Sequence, residues 1–278
     1  MLKVHFLNVG KGNCVVIKFP SGHLTVVDID NSQIDEENDT LQDPIEFLNS
    51  NYPGESVFRF ILTHPDMDHM SGLHELHKNR TIVNFWDIEH AKKVDVDKMG
   101  LGGYSKADWD TYQKLRSAKE SPTVIRVLHD HIPKSYWKED RIKILSPSAE
   151  LIKHANKTEE YNHGSYVLMI EHEGIRVLLG GDATKEAWRE ILKNHGKAAL
   201  KADVFLAPHH GSPDNVEMDV FKHIAPQYVV VSDHRGHSYD YSSYNSLAPE
   251  KVYSTKHYGN IELTVSKATK AFTAEKNI

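Results

Sequence analysis

Cysteine is nearly absent from this sequence, since Cys14 is the only one among 278 residues. An intrachain disulfide is therefore impossible, and neither a cysteine-based zinc finger nor a dithiol redox site can be built. Cys14 lies inside an apolar run, which favours a packed strand residue over a reactive thiol. A chain of this length buries enough apolar surface to fold without covalent cross-links.

Long apolar runs and an excess of positive charge are also missing. No stretch approaches the ~18 consecutive apolar residues of a membrane helix, and the opening residues, MLKVHFLNVGKGN, lack the apolar core of a secretion signal. We therefore expect a cytoplasmic protein without membrane contact. The 33 Lys+Arg against 39 Asp+Glu give a net charge of −6. This balance excludes a broad basic coat but is compatible with a local positive strip or with bound cations.

The apolar pattern predicts strands first and alternating strands and helices later, which is typical of a layered α/β sandwich. Strands are predicted at residues 2–9, 14–19, 24–29, 57–63, 123–128, 141–145, 166–171, 175–179, 204–207 and 228–231. Helices are predicted at residues 41–52, 105–119, 184–194 and about 216–224. Glycine-containing turns between the first three strands indicate an antiparallel meander.

We expect a single domain over residues 1–278, because no repeat, low-complexity tract or linker marks a boundary. Residues 85–140 are predicted to form an insertion, and within it the charged, glycine-containing segment 92–120 is interpreted as a cap. Ser105 and Asp108 have the spacing of a capping box that opens a helix.

Histidine is abundant, with 19 residues, and its position matters more than its number. Acidic residues and histidines follow four of the predicted strands. Asp28 and Asp30 end the third strand, the run HPDMDH (64–69) ends the fourth, Asp182 follows two glycines, and HHGS occupies residues 209–212. Strand ends are where ligands bind in α/β sheets. Carboxylates packed this closely repel one another unless a cation lies between them, so the pattern predicts a shared metal pocket.

Each cluster also has a purely structural explanation. Asp68 could cap the following helix, Asp182 could be a turn residue, and one histidine of the HHGS motif could serve packing alone. Their joint occurrence at successive strand ends favours the metal pocket.

The order of these motifs resembles that of metallo-β-lactamase-fold hydrolases, and most closely the hydrolase domain of ComEC-type competence proteins. The opening VHFLNVGKGNCVVIKFPSG resembles the family's LDVGQGD strand and turn, and TEEYNHGSYVLMIEHEGIRVLLGGD resembles its Asn-x-x-Ser segment and aspartate. The ending VYSTKHYGNIELTV resembles its closing elements. The resemblance covers nearly the whole chain except residues 85–140, and it implies a four-layer αββα sandwich, here freestanding.

The resemblance implies a ligand set for two divalent ions, Zn²⁺ or Mn²⁺. His64 and Asp66 would bind one ion, Asp68 and His69 would bind the other, and Asp182 would bridge both. Where family members often have a histidine, Asp66 supplies oxygen, which makes Mn²⁺ a rival to Zn²⁺.

The HHGS motif would contribute a further imidazole, from either His209 or His210. A general acid could come from His210 or from His237. Asp28 is expected to accept a hydrogen bond from a ligand imidazole and to fix its tautomer.

The family's third motif, which often supplies a histidine, is here Asn162-x-x-Ser165. His163 lies inside it and could compensate, although we expect it to point outward as a solvated loop residue. Asn162 and Ser212 are candidates for binding a substrate oxygen, and Lys11 is a candidate for binding a phosphate.

The function implied by the resemblance is that of a metal-dependent phosphodiester hydrolase. A nuclease acting on DNA is the leading hypothesis, with nucleic acid as substrate and a hydroxide shared by the two ions as nucleophile. Asp68 and Asp182 are predicted to be essential for turnover.

Two alternatives remain open. A small phosphodiester, such as a phosphorylcholine-type substrate, could be caged by Tyr239, Tyr241 and Tyr244. The chain could also be a non-catalytic, metal-stabilised interaction module that binds a protein partner through residues 92–120.

Overall fold

The chain begins with an antiparallel meander of three short strands. The computed structural model describes residues 1–34, 40–95, 104–131, 135–234, 236, 238, 240–249 and 251–274. Strands β1 (Leu2–Phe6), β2 (Val15–Lys18) and β3 (Leu24–Val27) pair in chain order. β2 and β3 consist largely of β-branched residues, which suit the pleated and buried surface of a sheet. The predicted meander is confirmed.

The remaining elements mostly alternate between helices and strands, except for the consecutive strands β8 and β9, and the chain closes with two paired strands. The first half continues with α1 (Pro44–Asn51), β4 (Val57–Ile61), α2 (Leu73–Asn79), β5 (Ile82–Trp86), α3 (Lys106–Arg116), β6 (Thr123–Ile125) and α4 (Ser135–Glu139). The second half contains β7 (Ile142–Ser146), α5 (Ala149–Thr158), β8 (Val167–His172), β9 (Ile175–Leu179), α6 (Lys185–Leu200), β10 (Val204–Leu206), α7 (Met218–Phe221), β11 (Tyr228–Val231), α8 (Ser242–Leu247), β12 (Val252–Ser254), α9 (Thr255–Tyr258), β13 (Ile261–Val265) and β14 (Lys270–Ala274).

The strands form two mixed sheets. The first has the order β14-β13-β1-β2-β3-β4-β5-β6, and the second has the order β12-β11-β10-β9-β8-β7. In the first sheet β3, β4, β5 and β6 run parallel, and in the second β9, β10, β11 and β12 do so. Each sheet therefore gathers the carboxyl ends of several strands at one edge.

Three apolar clusters define four layers. The central cluster contains inward-facing residues of both sheets, among them Phe6, Trp86 and Leu168. A second cluster joins the outer face of the first sheet to α1, α2 and α3, and a third joins the outer face of the second sheet to α6, α7 and α8. The helix, sheet, sheet, helix order of the predicted αββα sandwich is thus present. Among the described residues, no helix combines the length and the apolar character that crossing a membrane requires.

The described part of the segment 85–140 is tied closely to the sandwich. β6 pairs with β5, and Trp109 and Tyr112 of α3 are buried in the second cluster. Ser105 caps α3 as predicted, since its side chain accepts from the Ala107 N–H. The reciprocal half of the predicted capping box is wrong, because the Asp108 carboxylate accepts instead from the His74 N–H at 2.8 Å. Whether the segment acts as a cap stays a prediction.

Candidate metal centre

Four loops meet at the carboxyl ends of the parallel strands. Asp28 follows β3 and the run 64–69 follows β4, its parallel neighbour. Asp182 follows β9, and the pair His209 and His210 follows β10, again its parallel neighbour. The Tyr166 N–H donates to the Thr63 carbonyl at 3.0 Å and so joins the two sheets beside these loops. The convergence predicted from strand ends is therefore what the fold produces.

Asp182 lies at the centre of the cluster. Its side chain is almost completely buried. Its Oδ2 is 3.3 Å from His69 Nε2 and 3.6 Å from His210 Nε2, and it is 3.9 Å from Nε2 of both His64 and His209. One carboxylate oxygen thus faces four imidazole nitrogens, as a residue shared between two cations would.

Several buried nitrogen and oxygen atoms of this cluster, all of types that bind metals, make no hydrogen bond within the described part of the chain. They are His64 Nε2, His69 Nε2, both ring nitrogens of His210, and Asp182 Oδ1. Leaving such atoms unsatisfied costs free energy. Metal binding would satisfy the three Nε2 atoms and the Asp182 oxygen, so the residues present fit a metal centre.

Two sets of donors have ligand atoms within 4.8 Å of one another. One set is His64, His69 and Asp182, and the other is Asp68, His69 and His210. Asp68 Oδ2 is 3.4 Å from His210 Nε2 and 3.8 Å from His69 Nε2. Carboxylate oxygen and imidazole nitrogen are ligands that suit both Zn²⁺ and Mn²⁺.

Asp28 orients two of the histidines from behind. It accepts hydrogen bonds from Thr63 N at 2.7 Å, from Thr63 Oγ1 at 2.8 Å and from His69 Nδ1 at 2.8 Å. Because the Thr63 hydroxyl donates to Asp28, it is left to accept from His64 Nδ1 at 3.1 Å. Both rings therefore carry their proton on Nδ1 and present Nε2 to the cluster, the arrangement that a metal-binding histidine needs.

The electrostatics of the cluster call for a cation. Burial lowers the pKa of His69, but Asp182, Asp28 and Asp68 outweigh burial and raise that pKa well above its ordinary value. Burial raises the pKa of Asp182, yet the surrounding imidazoles hold it well below its ordinary value. Without a metal, the raised pKa of His69 favours a second proton on its Nε2, so a divalent ion would bind there by displacing that proton.

The two histidines of the HHGS motif have different surroundings. His210 is buried, whereas the His209 side chain is 39% exposed. The Nδ1 of His209 bonds to Asn215 Oδ1 at 2.9 Å, and Asn215 Nδ2 donates to the Ala183 carbonyl at 3.1 Å. Sequence reasoning missed Asn215, because nothing in its local sequence separates it from an ordinary turn residue.

Asp66 is the most exposed of the three carboxylates predicted to bind metal, and it has a lysine partner that sequence reasoning also missed. Its Oδ2 is 3.5 Å from His64 Nε2, and its Oδ1 is bonded by Lys92 Nζ. Burial would raise the pKa of Asp66, but His64 and Lys92 lower it well below the ordinary range. The ion pair between Asp66 and Lys92 joins segments that are distant in sequence, so no local sequence pattern predicts it.

The first loop is packed against this centre. The Asn13 N–H donates to the Asp68 carbonyl at 3.3 Å, and the Gly12 N–H donates to Asp30 Oδ2 at 2.9 Å. A Cβ at Gly12 would lie 2.0 Å from the Asp68 carbonyl oxygen, so only glycine fits. Burial raises the pKa of Asp30 to about 6. Asp30 thus shapes the loop that supports Asp68.

His163 is not the solvated loop residue that we expected. It is buried, its Nδ1 bonds to Thr184 Oγ1 at 2.9 Å, and its Nε2 lies 3.2 Å from Glu160 Oε2. The ring also packs against His154, with 4.3 Å between ring centroids. The expectation was wrong because the 3₁₀ turn Tyr161–Gly164 directs this side chain beneath α5 and the start of α6. Both nitrogens have partners outside the metal cluster.

The other predicted residues have varied positions. Ser165 is fully buried and its Oγ lacks a hydrogen bond within the described residues. Ser212 is buried, Asn162 is half-buried, and Lys11 is exposed. His237 lies outside the described residues.

Tyr244 cannot take part in the predicted aromatic cage. Tyr244 is fully buried and packs against Phe205 and Phe221 in the outer core of the second sheet, so it cannot reach a substrate. The Tyr241 hydroxyl bonds to Asp233, and Tyr239 lies outside the described residues. The prediction fails for Tyr244 because its apolar ring faces the core side of α8.

Comparison with known proteins supports this architecture. No family model matches the sequence. ComE operon protein 3 from Bacillus subtilis (strain 168) is 25% identical over 179 residues, which are 64% of this chain and 20% of that protein. The matched region thus spans about a fifth of the length of this curated relative.

Two solved structures share the fold at low sequence identity. The metallo-β-lactamase fold protein YhfI from Bacillus subtilis has a TM-score of 0.54 at 11% identity, covering 94% of this chain and all of that one. Zn²⁺-bound PqqB from Methylobacterium extorquens has a TM-score of 0.51 at 11% identity, covering 95% of this chain and all of that one. The two sheets, the outer helices and these neighbours show that the chain has the metallo-β-lactamase fold.

Proposed function

We propose that this protein is a metal-dependent hydrolase that cleaves phosphodiester bonds in DNA with two divalent ions. The proposal rests on one observation: buried nitrogen and oxygen atoms able to bind a metal surround Asp182 Oδ2 and make no hydrogen bond among the described residues. A fold that bound no cation would leave these buried atoms unsatisfied.

The two ions would be held by six side chains with Asp182 between them. His64 and Asp66 serve one ion, and Asp68, His69 and His210 serve the other. When bound, the ions would activate water and polarise a phosphoryl oxygen. The three carboxylates make the set rich in oxygen, which favours Mn²⁺ beside Zn²⁺.

The chain's own residues orient this chemistry and supply a proton. Asp28 and Thr63 fix the tautomers of His64 and His69. His210 is buried and fits a ligand, whereas His209 is exposed enough to reach a leaving oxygen. Asn215 accepts from Nδ1 of His209 and so aims Nε2 at the centre. As an imidazolium, His209 would donate that Nε2 proton to the leaving group.

A cavity beside the first loop supports a nucleic-acid substrate. It has a volume of about 450 Å³ and is lined by Lys11, Gln33, His234 and Lys256, among others. The cavity adjoins the loop whose Asn13 N–H donates to the Asp68 carbonyl. Its exposed Lys11 is suited to a phosphate group that flanks the scissile bond, whereas Lys256 is paired with Asp233 at 2.9 Å. The motif resemblance to ComEC-type hydrolase domains agrees with this substrate class.

The test is a metal-reconstitution assay with matched variants. Protein freed of metal by a chelator is supplied with Mn²⁺ or Zn²⁺ and offered linear, circular and single-stranded DNA, and separately bis(p-nitrophenyl) phosphate. We expect DNA cleavage that depends on the added ion and is lost in Asp182→Asn. Asp43→Asn is the matched control, because Asp43 caps α1, lies outside both candidate ligand sets, and asparagine caps helices equally well.

The outcomes separate the alternatives. Cleavage of the small diester with all DNA left intact would refute the DNA assignment and favour a small-molecule phosphodiesterase. Absence of metal binding would refute the metal centre altogether. Metal binding without hydrolysis of any substrate would favour an interaction module.

A further inference from the structure

Lys92 belongs to the segment 85–140, which resembles the family least, yet its ammonium group reaches the candidate metal centre. Its Nζ donates to Asp66 Oδ1 and, at 2.7 Å, to the Pro65 carbonyl. The same ammonium lies 5.3 Å from the centroid of the Tyr161 ring, within the range of a cation–π contact. Three groups surround it, so the fold defines its position.

A chain of buried hydrogen bonds fixes the backbone of Lys92. Its N–H donates to His90 Nδ1 at 3.0 Å, and His90 Nε2 bonds to the Tyr112 hydroxyl. That hydroxyl donates to Asp87 Oδ1 at 2.8 Å, and Arg116 Nε lies 3.0 Å from Asp87 Oδ2. Burial and the neighbouring Arg116 lower the pKa of His90 to about 3, so the neutral ring accepts at Nδ1 and donates at Nε2. Lys92 is therefore a supported residue.

We propose that Lys92 makes the two ion positions unequal, so that the position beside Asp66 binds its cation more weakly than the position beside Asp68 and His210. The inference rests on the proposed metal centre and adds a form of regulation to it. One ion would be retained, and activity would follow the free concentration of the second.

Two effects of Lys92 act in the same direction. It occupies Asp66 Oδ1, which leaves only Oδ2 to face His64 Nε2 at 3.5 Å. It also places a positive charge beside the incoming cation, which weakens binding. On the other side, Asp68 makes no ion pair with a lysine or arginine among the described residues; its partners there are His69 and His210. The asymmetry thus follows from one side chain.

Isothermal titration calorimetry of Mn²⁺ into metal-free protein tests the inference without relying on turnover. In the parent protein we expect two binding events with clearly separated affinities. In Lys92→Met we expect the weaker event to tighten by about tenfold while the stronger one stays within about twofold. Lys92→Arg keeps the charge and should behave like the parent.

Lys93→Met is the matched control, because Lys93 is the exposed neighbour of Lys92 and makes no ion pair with the candidate ligands among the described residues. A parallel titration of DNA cleavage against free Mn²⁺ should show its midpoint moving to lower concentration in Lys92→Met alone. Circular dichroism verifies that each variant is folded.

The titration distinguishes failure of the role of Lys92 from failure of the proposed metal centre. Two ions of equal affinity in the parent, or an unchanged weaker event in Lys92→Met, would refute the role of Lys92 while leaving the metal centre standing. The same tightening in Lys93→Met would show an effect of overall charge and would also refute it. Failure of the parent to bind any ion would overturn the proposed function and this inference together.

Discussion

The substitution Asp28→Asn changes the hydrogen bond that orients His69 and leaves every candidate metal ligand in place. Asp28 has a φ of 56°, in the left-handed region that asparagine tolerates better than most residues do. Alanine there would add backbone strain, whereas asparagine keeps the backbone and the shape. In the variant, the amide oxygen can still accept from the Thr63 N–H, and the amide NH₂ faces Thr63 Oγ1 and His69 Nδ1.

The exchange reverses the hydrogen bond to His69. An amide donor in front of Nδ1 forces that nitrogen to accept, so the ring proton moves to Nε2, which faces Asp182 Oδ2 at 3.3 Å. A metal at Nε2 would move the ring proton back to Nδ1, where it would meet the amide NH₂ donor instead of a carboxylate oxygen. Loss of comparable partners behind ligand histidines lowers metal affinity about 10- to 100-fold, or about 1.4–2.7 kcal/mol. Without metal, loss of one charge-assisted hydrogen bond should lower the free energy of unfolding by about 1.5–3 kcal/mol.

Competition with a fluorescent chelator measures the affinity, and urea denaturation in excess chelator measures the metal-free stability. Asp43→Asn provides the control for the same chemical change, with both quantities expected to match the parent. If Asp28→Asn binds metal as tightly as Asp43→Asn, the tautomer argument is wrong. If only the metal-free stability changes, Asp28 serves packing and not the ligand set.

Three further substitutions test other parts of the structure. Gly12→Ala places a Cβ 2.0 Å from the Asp68 carbonyl oxygen, so it should lower the free energy of unfolding by about 1–3 kcal/mol and weaken metal binding. Denaturation and chelator competition measure the two effects, and unchanged values would contradict the packing of the first loop. Tyr244→Phe removes a buried hydroxyl that makes no hydrogen bond within the described residues, so the melting temperature should stay or rise with activity unchanged; a loss of activity would revive the aromatic cage. Burial raises the pKa of Asp87 to about 6 from an ordinary 3.8, so its protonation stabilises the fold at low pH and this contribution is lost as pH rises through about 6. Between pH 7 and pH 5 the free energy of unfolding of the parent should therefore rise by about 1 kcal/mol more than that of Asp87→Asn. Denaturation at both pH values measures the difference.

The sequence could predict most strands and the place of the metal centre, because both depend on local or topological rules. The predicted strands 175–179 and 228–231 coincide with β9 and β11. The acidic and histidine clusters converge because they follow parallel neighbouring strands, β3 with β4 and β9 with β10. Such convergence needs only the strand order and not the details of packing.

What the sequence could not predict depends on contacts between distant segments or on backbone shape. The apolar run after β1 continues to Val9, but the strand ends at Phe6 because the chain bends there, with the Val9 N–H donating to the Leu7 carbonyl at 3.1 Å. Helix α6 continues to Leu200 through a change of direction at Gly196, which has a φ of 72°. His209 and His210 both have positive φ, which the sequence does not predict, and their side chains differ in burial.

Lys92 also changes how the charge of the centre should be understood. The four carboxylates of Asp28, Asp66, Asp68 and Asp182 bring four negative charges, and Lys92 brings one positive charge within contact of Asp66. With neutral ligand histidines, one divalent ion would leave the centre negative by one charge, whereas two would make it positive by one. A phosphodiester is an anion, so the weakly held second ion would reverse the sign of the field that the substrate meets. Under our proposals, an acidic protein would admit a polyanion only when both positions are filled, and removing Lys92 would lower the net charge of each state by one.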